Sequence, residues 1–296
     1  MNWVSPLFCE NVCNVLTKND LRTLQHGLSS ETWESAAGRM LAKRSYCDVH
    51  VCGNGIESRS EISEMKRNPH MRIGTLAFHD FQSHSEEKVA AEILPFVAYA
   101  NDTGKLLFNC FMVENLVKVT NLIDSERFRA NCVFVDIAMP RVCKASETFL
   151  RRHIEKRVLK NLSLWGEWQK CDADWIKELF TQEQLYSFCS FPAEKLCFGE
   201  DALHMLLSTI HLRQEEKIHM HSFRCPLPES TNCGKLYIED LLGKYGFRRP
   251  ARSDVYNKHE FNAFYRGESV IRATFDWDGF SCFIGTRTYF KNRGFL

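Results

Sequence analysis

The chain holds 296 residues, 44% of them hydrophobic and 25% charged, with a formal net charge of +1. That length is long for one compact domain and short for three full-sized ones, and the apolar content is enough for a core without metals or disulfides. A net charge so near zero excludes a global field that would draw the protein to nucleic acid or anionic lipid, leaving only local patches for such contacts.

Residues 1–44 read as three short helices. Pro6 suits a first helical turn, and Val12, Val15 and Leu16 then recur on one helical face. Asn19-Asp20 breaks the pattern and can cap a second helix starting near Leu21, carrying Leu21, Leu24 and Leu28. Ser29-Ser30-Glu31 opens a third helix with Trp33, Ala36, Ala37 and Met40. Three helices this short bury little by themselves, so the unit needs a partner or a neighbouring domain.

Residues 45–230 carry a recurring apolar-x-x-apolar-x-apolar pattern. It stands at Tyr46/Val49/Val51, Ile73/Leu76/Phe78, Cys132/Val135/Ile137 and Leu159/Leu162/Leu164, with weaker copies at Leu106/Phe108, Leu185/Phe188 and Ile218/Met220. The middle positions 49, 76, 106, 135, 162, 188 and 218 advance by 26 to 30 residues. Between them lie helix-spaced stripes: Val113/Leu116/Val117/Thr120, Leu150/Ile154/Val158, Trp175/Ile176/Leu179/Phe180 and Leu203/Leu206/Leu207/Ile210. A βα unit repeated at a near-constant step is the signature of a leucine-rich-repeat-like solenoid, in which stacked neighbours bury what one unit leaves open. A doubly wound α/β domain also alternates strand and helix. The regular step favours the solenoid, whereas the missing repeat asparagine favours the doubly wound alternative.

Residues 231–296 change character. A helix over Leu236–Tyr245 stops at Gly246, and strands follow at Phe261–Tyr265, Val270–Phe275 and Phe280–Ile284, joined by Arg266-Gly267 and Trp277-Asp278-Gly279. These predict an antiparallel C-terminal region that caps the solenoid. The expected fold class is therefore α/β: a helical unit, a βα solenoid and a small antiparallel β region.

The 13 cysteines lie mostly inside apolar runs such as Cys132-Val133-Phe134-Val135. They read as reduced thiols serving as small core residues of an intracellular protein. The opening residues lack the basic stretch of a secretory signal, and the longest apolar run, near Ile93 to Ala100, is far short of a membrane span. Cytoplasm or nucleus is the expected location, without membrane contact.

Chemistry is sparse. The chain contains no phosphate-binding glycine loop, nucleophile elbow or paired C-x-x-C. His219-x-His221-x-x-x-Cys225 could be read as zinc ligands, but two histidines on the solvated face of a strand account for it better. Asp276 and Asp278 fit turn chemistry. The basic run Arg151, Arg152, His153, Lys156, Arg157 and Lys160 fits the solvated face of a helix whose inner face is Leu150, Ile154 and Val158. The expectation is a non-catalytic protein with no metal and no cofactor, and nucleic acid is not an expected partner.

Pro6-Leu7, Glu10, Val12, Val15-Leu16, Asp20-Leu21, Leu24, Leu28 and Trp33 together resemble an F-box, and the opening Val4-Ser5-Pro6-Leu7-Phe8-Cys9 is similar to that of the divergent nematode F-box and F-box-associated families. Ser5 stands where the family carries an apolar residue. The resemblance implies a substrate receptor of an SCF-type ubiquitin ligase. A Skp-type adaptor would bind Pro6, Leu7, Val12, Leu16, Leu21, Leu24, Leu28 and Trp33, while the solenoid holds an unidentified substrate protein. Two alternatives stay open: a stand-alone protein-binding solenoid whose N-terminal helices are only a cap, and an enzyme or nucleic-acid binder on an α/β fold.

Overall fold

The structure is a computed structural model that describes residues 4–16, 18–27, 30–52, 55–56, 63–64, 67–68, 70–79, 91, 105–109, 113–124, 136–141, 144–166, 168–169, 172–190, 196–212, 220–226, 239–249, 261–275 and 279–292. The chain divides into two compact units, Met1–Ile137 with Val142–Phe149, and Ala138–Arg141 with Leu150–Leu296.

The first unit begins with helices α1 (Pro6–Val15), α2 (Lys18–Gly27) and α3 (Glu31–Lys43). Pro6 occupies the first turn of α1, where its missing N–H costs nothing. The second helix starts at Lys18, three residues before the expected Leu21, so Asn19 and Asp20 fall inside its first turn. An acidic residue there is favoured by the helix dipole. Strands β1 (Ser45–Cys52), β2 (Gly55–Ile56), β3 (Met71–His79) and β4 (Lys105–Asn109) follow, then helix α4 (Val113–Asp124). Their order is β2-β1-β3-β4. The β1–β3 and β3–β4 pairs are parallel, and β2 folds back antiparallel on β1.

Strand β5 (Asp136–Arg141) and helix α5 (Lys144–Glu155) contribute residues to both units. The second unit continues with β6 (Asn161–Gly166), α6 (Ala173–Ile176) running into a tighter turn at Lys177–Thr181, β7 (Ser187–Ser190), α7 (Glu200–Leu212) and β8 (Met220–Pro226). Helix α8 (239–244), strands β9 (Phe261–Arg266), β10 (Ser269–Phe275) and β11 (Gly279–Thr286), and helix α9 (Arg287–Asn292) complete it. Strand order is β5-β6-β7-β8-β11-β10-β9. The β6–β7 and β7–β8 pairs are parallel, whereas β8–β11, β11–β10 and β10–β9 are antiparallel. The fold is thus mixed α/β, with parallel strands alternating with helices and antiparallel strands closing the sequence.

The repeat step reappears as strand register. Val49 lies opposite Leu76, Leu76 opposite Leu106, and Leu162 opposite Phe188. All five side chains are buried, none more than 1% exposed. A constant step puts the same position of each unit on one rung, so apolar side chains stack in columns. In the first unit Phe78 stacks on Phe108, which meets Phe149 of α5 edge-on. The residues between, such as His50, Thr75, His79, Asn161, Ser163 and Ser187, are half-buried and polar. This alternation fits strands covered by helices on one face and open on the other. Strand β8 breaks the phase, since Phe188 faces His221.

Helix α5 ends at Glu155, before Val158, and Arg157 follows in the left-handed region at φ 53°. Most of the basic run is open or half-open, but His153 is buried at 6% exposure, against the expectation of a solvated face. It falls three residues after the buried Leu150 and so shares the inner stripe. The left-handed backbone favours glycine at Arg157, an exposed side chain. Arg157→Gly is expected to raise stability by about 0.5–1 kcal/mol, read as a shift of the urea midpoint at unchanged slope. In the C-terminal region Gly246 ends α8 at φ 80° and Gly267 turns the β9–β10 hairpin at φ 53°, as the sequence suggests.

Several expected features lie outside the described residues: Leu28, the run from Ile93 to Ala100, Val135, Ile218 with His219, and Asp276 with Asp278. The side chains of His221 and Cys225 also fall outside them.

Candidate interaction surface of the N-terminal helices

The three helices enclose a small core of their own. Cys9 and Cys13 of α1, Leu21 of α2, and Ala36, Ala37 and Met40 of α3 are buried, with Leu16, Leu24, Trp33 and Leu41 packed around them. Cysteine and alanine supply little bulk, which allows close helix approach. Burial, reinforced by neighbouring Cys9, pushes the Cys13 thiol up from its ordinary value. Both cysteines pack inside this core as small apolar side chains.

Polar contacts fasten this core. Arg39 Nε and Nη2 donate to Glu10 Oε1 at 3.1 and 2.9 Å; with both side chains nearly half exposed, the pair contributes little. Arg44 is different, because it is 92% buried and its guanidinium donates to the carbonyls of Leu16, Cys13 and Asn14 at 2.6, 3.2 and 3.1 Å. The final carbonyls of α1 have no partner within their own helix, and no basic residue of α1 stands near them. Arg44, which follows α3, supplies both the donors and the positive charge. From β3, the buried Arg72 adds a bond to Asn14 Oδ1 at 3.0 Å.

The expected contact residues separate into two sets. Pro6 and Leu7 are exposed, Leu7 by 66%, whereas Val12, Leu16, Leu24 and Trp33 are half-buried. Leu21 is fully buried and presents nothing to a partner; it supports the surface from within. Sequence reasoning missed Phe8, which is 55% exposed and meets Trp33 edge-on with centroids 6.3 Å apart, and Val4, at 37%. A usable signal was present. Once Cys9 and Cys13 are counted as core, the inward stripe of α1 passes through 9 and 13, which leaves Leu7 and Phe8 off it.

The half-open strand face of the first unit carries a second feature. His50 Nδ1 and His79 Nε2, on adjacent strands, stand 3.0 Å apart with their rings stacked at 5.3 Å. Among the described residues no group of three or more His, Cys, Asp or Glu could hold a metal ion, and no helix is long and apolar enough to cross a membrane. Comparisons with known protein families, with curated proteins and with solved structures yield no match to this chain.

Proposed function

We propose that the chain is a non-catalytic receptor that brings a substrate protein to a ubiquitin-transferring assembly. Its N-terminal helices engage a Skp-type adaptor, and its strand-bearing part holds the substrate. The observation that carries this reading is the exposure of two large adjacent apolar residues, Leu7 and Phe8, on the helix whose other side builds the helical core. Isolated exposed apolar residues are ordinary, but these two continue into Val4, Pro6 and the edge of Trp33, within the stretch that resembles an F-box. The in-register columns of Val49, Leu76 and Leu106, and of Leu162 and Phe188, support a leucine-rich-repeat-like arrangement. Such a receptor does no chemistry; it raises the local concentration of its substrate beside a loaded enzyme.

The test is a pulldown of the full chain with a purified Skp-type adaptor, beside the double variant Leu7→Asp, Phe8→Asp. Both side chains are exposed, so the variant is expected to unfold at the wild-type temperature while its affinity falls roughly tenfold or more. Failure of the wild type to bind, or equal binding by the variant, would sink the reading. A second reading, in which the helices only cap the end of the strand stack, is favoured by the anchoring of α1 through Arg44 and Arg72. Under it the adaptor binds neither protein.

A further inference from the structure

Strand β3 carries one residue more than β1 along their shared ladder. Cys47 pairs with Ile73 and Asp48 with Thr75, so Gly74 is left over as a bulge. Bulges are rare between parallel strands, and they re-aim the side chains beyond them. Glycine suits the place, because a Cβ there would lie 3.3 Å from Asp48 Oδ1 and 3.4 Å from Tyr46 Cβ. The consequence is a change of phase. Met71 and Ile73 point to the buried face ahead of the bulge, and Leu76 and Phe78 do so beyond it. His79 thereby comes to the half-open face, where an unbroken alternation would bury it.

His50 is already on that face, opposite Ala77 and so one rung short of His79. The small side chain of Ala77 lets the two imidazoles meet above it. His50 Nδ1 stands 3.0 Å from His79 Nε2, with ring centroids 5.3 Å apart and ring planes within 22°. That combination sets the rings edge to edge, nitrogen toward nitrogen. Both side chains are half-buried. Asp48 and Cys52 flank His50 on the same face of β1. Lys105 of β4 pairs with Thr75, four residues before His79, which is about 13 Å along the strand. No lysine or arginine of β1, β3 or β4 therefore stands beside the pair on this face.

We propose that His50 Nδ1 and His79 Nε2 together bind a divalent transition-metal ion of the zinc and nickel class. Imidazole nitrogen is a donor that such ions favour. Zinc–nitrogen bonds of about 2.0–2.1 Å at a tetrahedral angle hold two nitrogens about 3.3–3.4 Å apart, so the 3.0 Å pair needs to open by only a few tenths of an ångström. Turning each ring toward the open side makes the two lone pairs converge. The ring that donates in the present hydrogen bond then carries its proton on its other nitrogen. Two protein donors leave the ion's remaining positions to water or to a donor of an approaching protein. The site does not depend on the adaptor reading.

The experiment uses the full chain with reduced thiols, labelled at the backbone amides and the histidine rings, and titrated with Ni²⁺. Paramagnetic broadening is expected to saturate and to centre on His50 of β1 and His79 of β3. Zn²⁺ is expected to displace Ni²⁺ and restore these signals, whereas Mg²⁺ at matched ionic strength leaves them unchanged, since it prefers oxygen donors. The chain has 11 histidines and 13 cysteines, so the broadening is read at these two rings and not as total metal bound. His50→Gln and His79→Gln are each expected to weaken zinc binding at the surviving ring by roughly tenfold or more, since even outer-shell partners are worth that much. The wild-type broadening map decides the matter even where a variant fails to fold. Broadening centred away from β1 and β3, the same effect with Mg²⁺, or unaltered affinity in a folded single variant overturns the proposal.

Discussion

Arg44→Ala is expected to destabilise α1 by about 3 kcal/mol, because one buried guanidinium supplies the donors for three carbonyls at the end of that helix. Alanine leaves those carbonyls facing the space that the side chain vacated, and it removes the charge that the helix dipole favours there. Arg44→Met separates the contributions: it refills much of the volume but donates nothing, so its loss should lie within about 1 kcal/mol of the alanine variant. Arg44→Lys should recover only part, since an ammonium cannot reproduce the fork that reaches Leu16, Cys13 and Asn14 together. Native-state hydrogen exchange at the amides of α1 reads the effect directly, even where the two units unfold separately. A loss below about 1 kcal/mol would mean that α1 is held by its Cys9 and Cys13 packing alone. Because α1 also carries Leu7 and Phe8, the adaptor reading adds a corollary: Arg44→Ala weakens adaptor binding without touching the contact surface, through the smaller folded fraction of the helix.

The contrast between Leu21 and Arg44 shows what was legible in the sequence. Periodicity identifies an apolar stripe and says that it is covered, but it does not say by what. Three short helices offer little core, so the sequence points Leu21 outward to a partner; in the structure Cys9, Ala36 and Ala37 are small enough for the helices to close over it. Arg44 and Arg72 carry no signal at all. Their partners lie 28 to 58 residues away in sequence, and a buried arginine differs from a surface one only through contacts that the fold itself creates. The strand positions were legible for the opposite reason. Each unit repeats its own local pattern, and parallel pairing of successive units converts a step along the chain into a position on a rung. The phase shift at β8, where Phe188 faces His221, occurs where parallel pairing gives way to the antiparallel β11.

Phe188→Ala is expected to cost about 4 kcal/mol. The ring is fully buried, meeting Phe180 edge-on at 5.1 Å and Phe198 at 5.6 Å, and these two lie 5.1 Å from each other. Removing one member of such a triangle leaves a cavity that two rigid rings cannot refill, and it forfeits both edge-on contacts. Phe188→Leu, which keeps most of the apolar volume, should cost about 1–2 kcal/mol. A cycle with Phe180→Leu should show coupling of about 0.5–1.5 kcal/mol, since each ring loses the same contact. The distribution of the damage is as informative as its size. Leu162 and His221 flank Phe188 on its two neighbouring strands. In a stack of repeats each unit depends on its neighbours alone, so amide protection should fall across β6, β7 and β8 while β1, β3 and β4 retain theirs. In a single cooperative α/β core the loss would reach β1 as strongly as β7. Hydrogen exchange on this one variant therefore measures the worth of the aromatic triangle and discriminates between the two architectures that the 26-to-30-residue step left open.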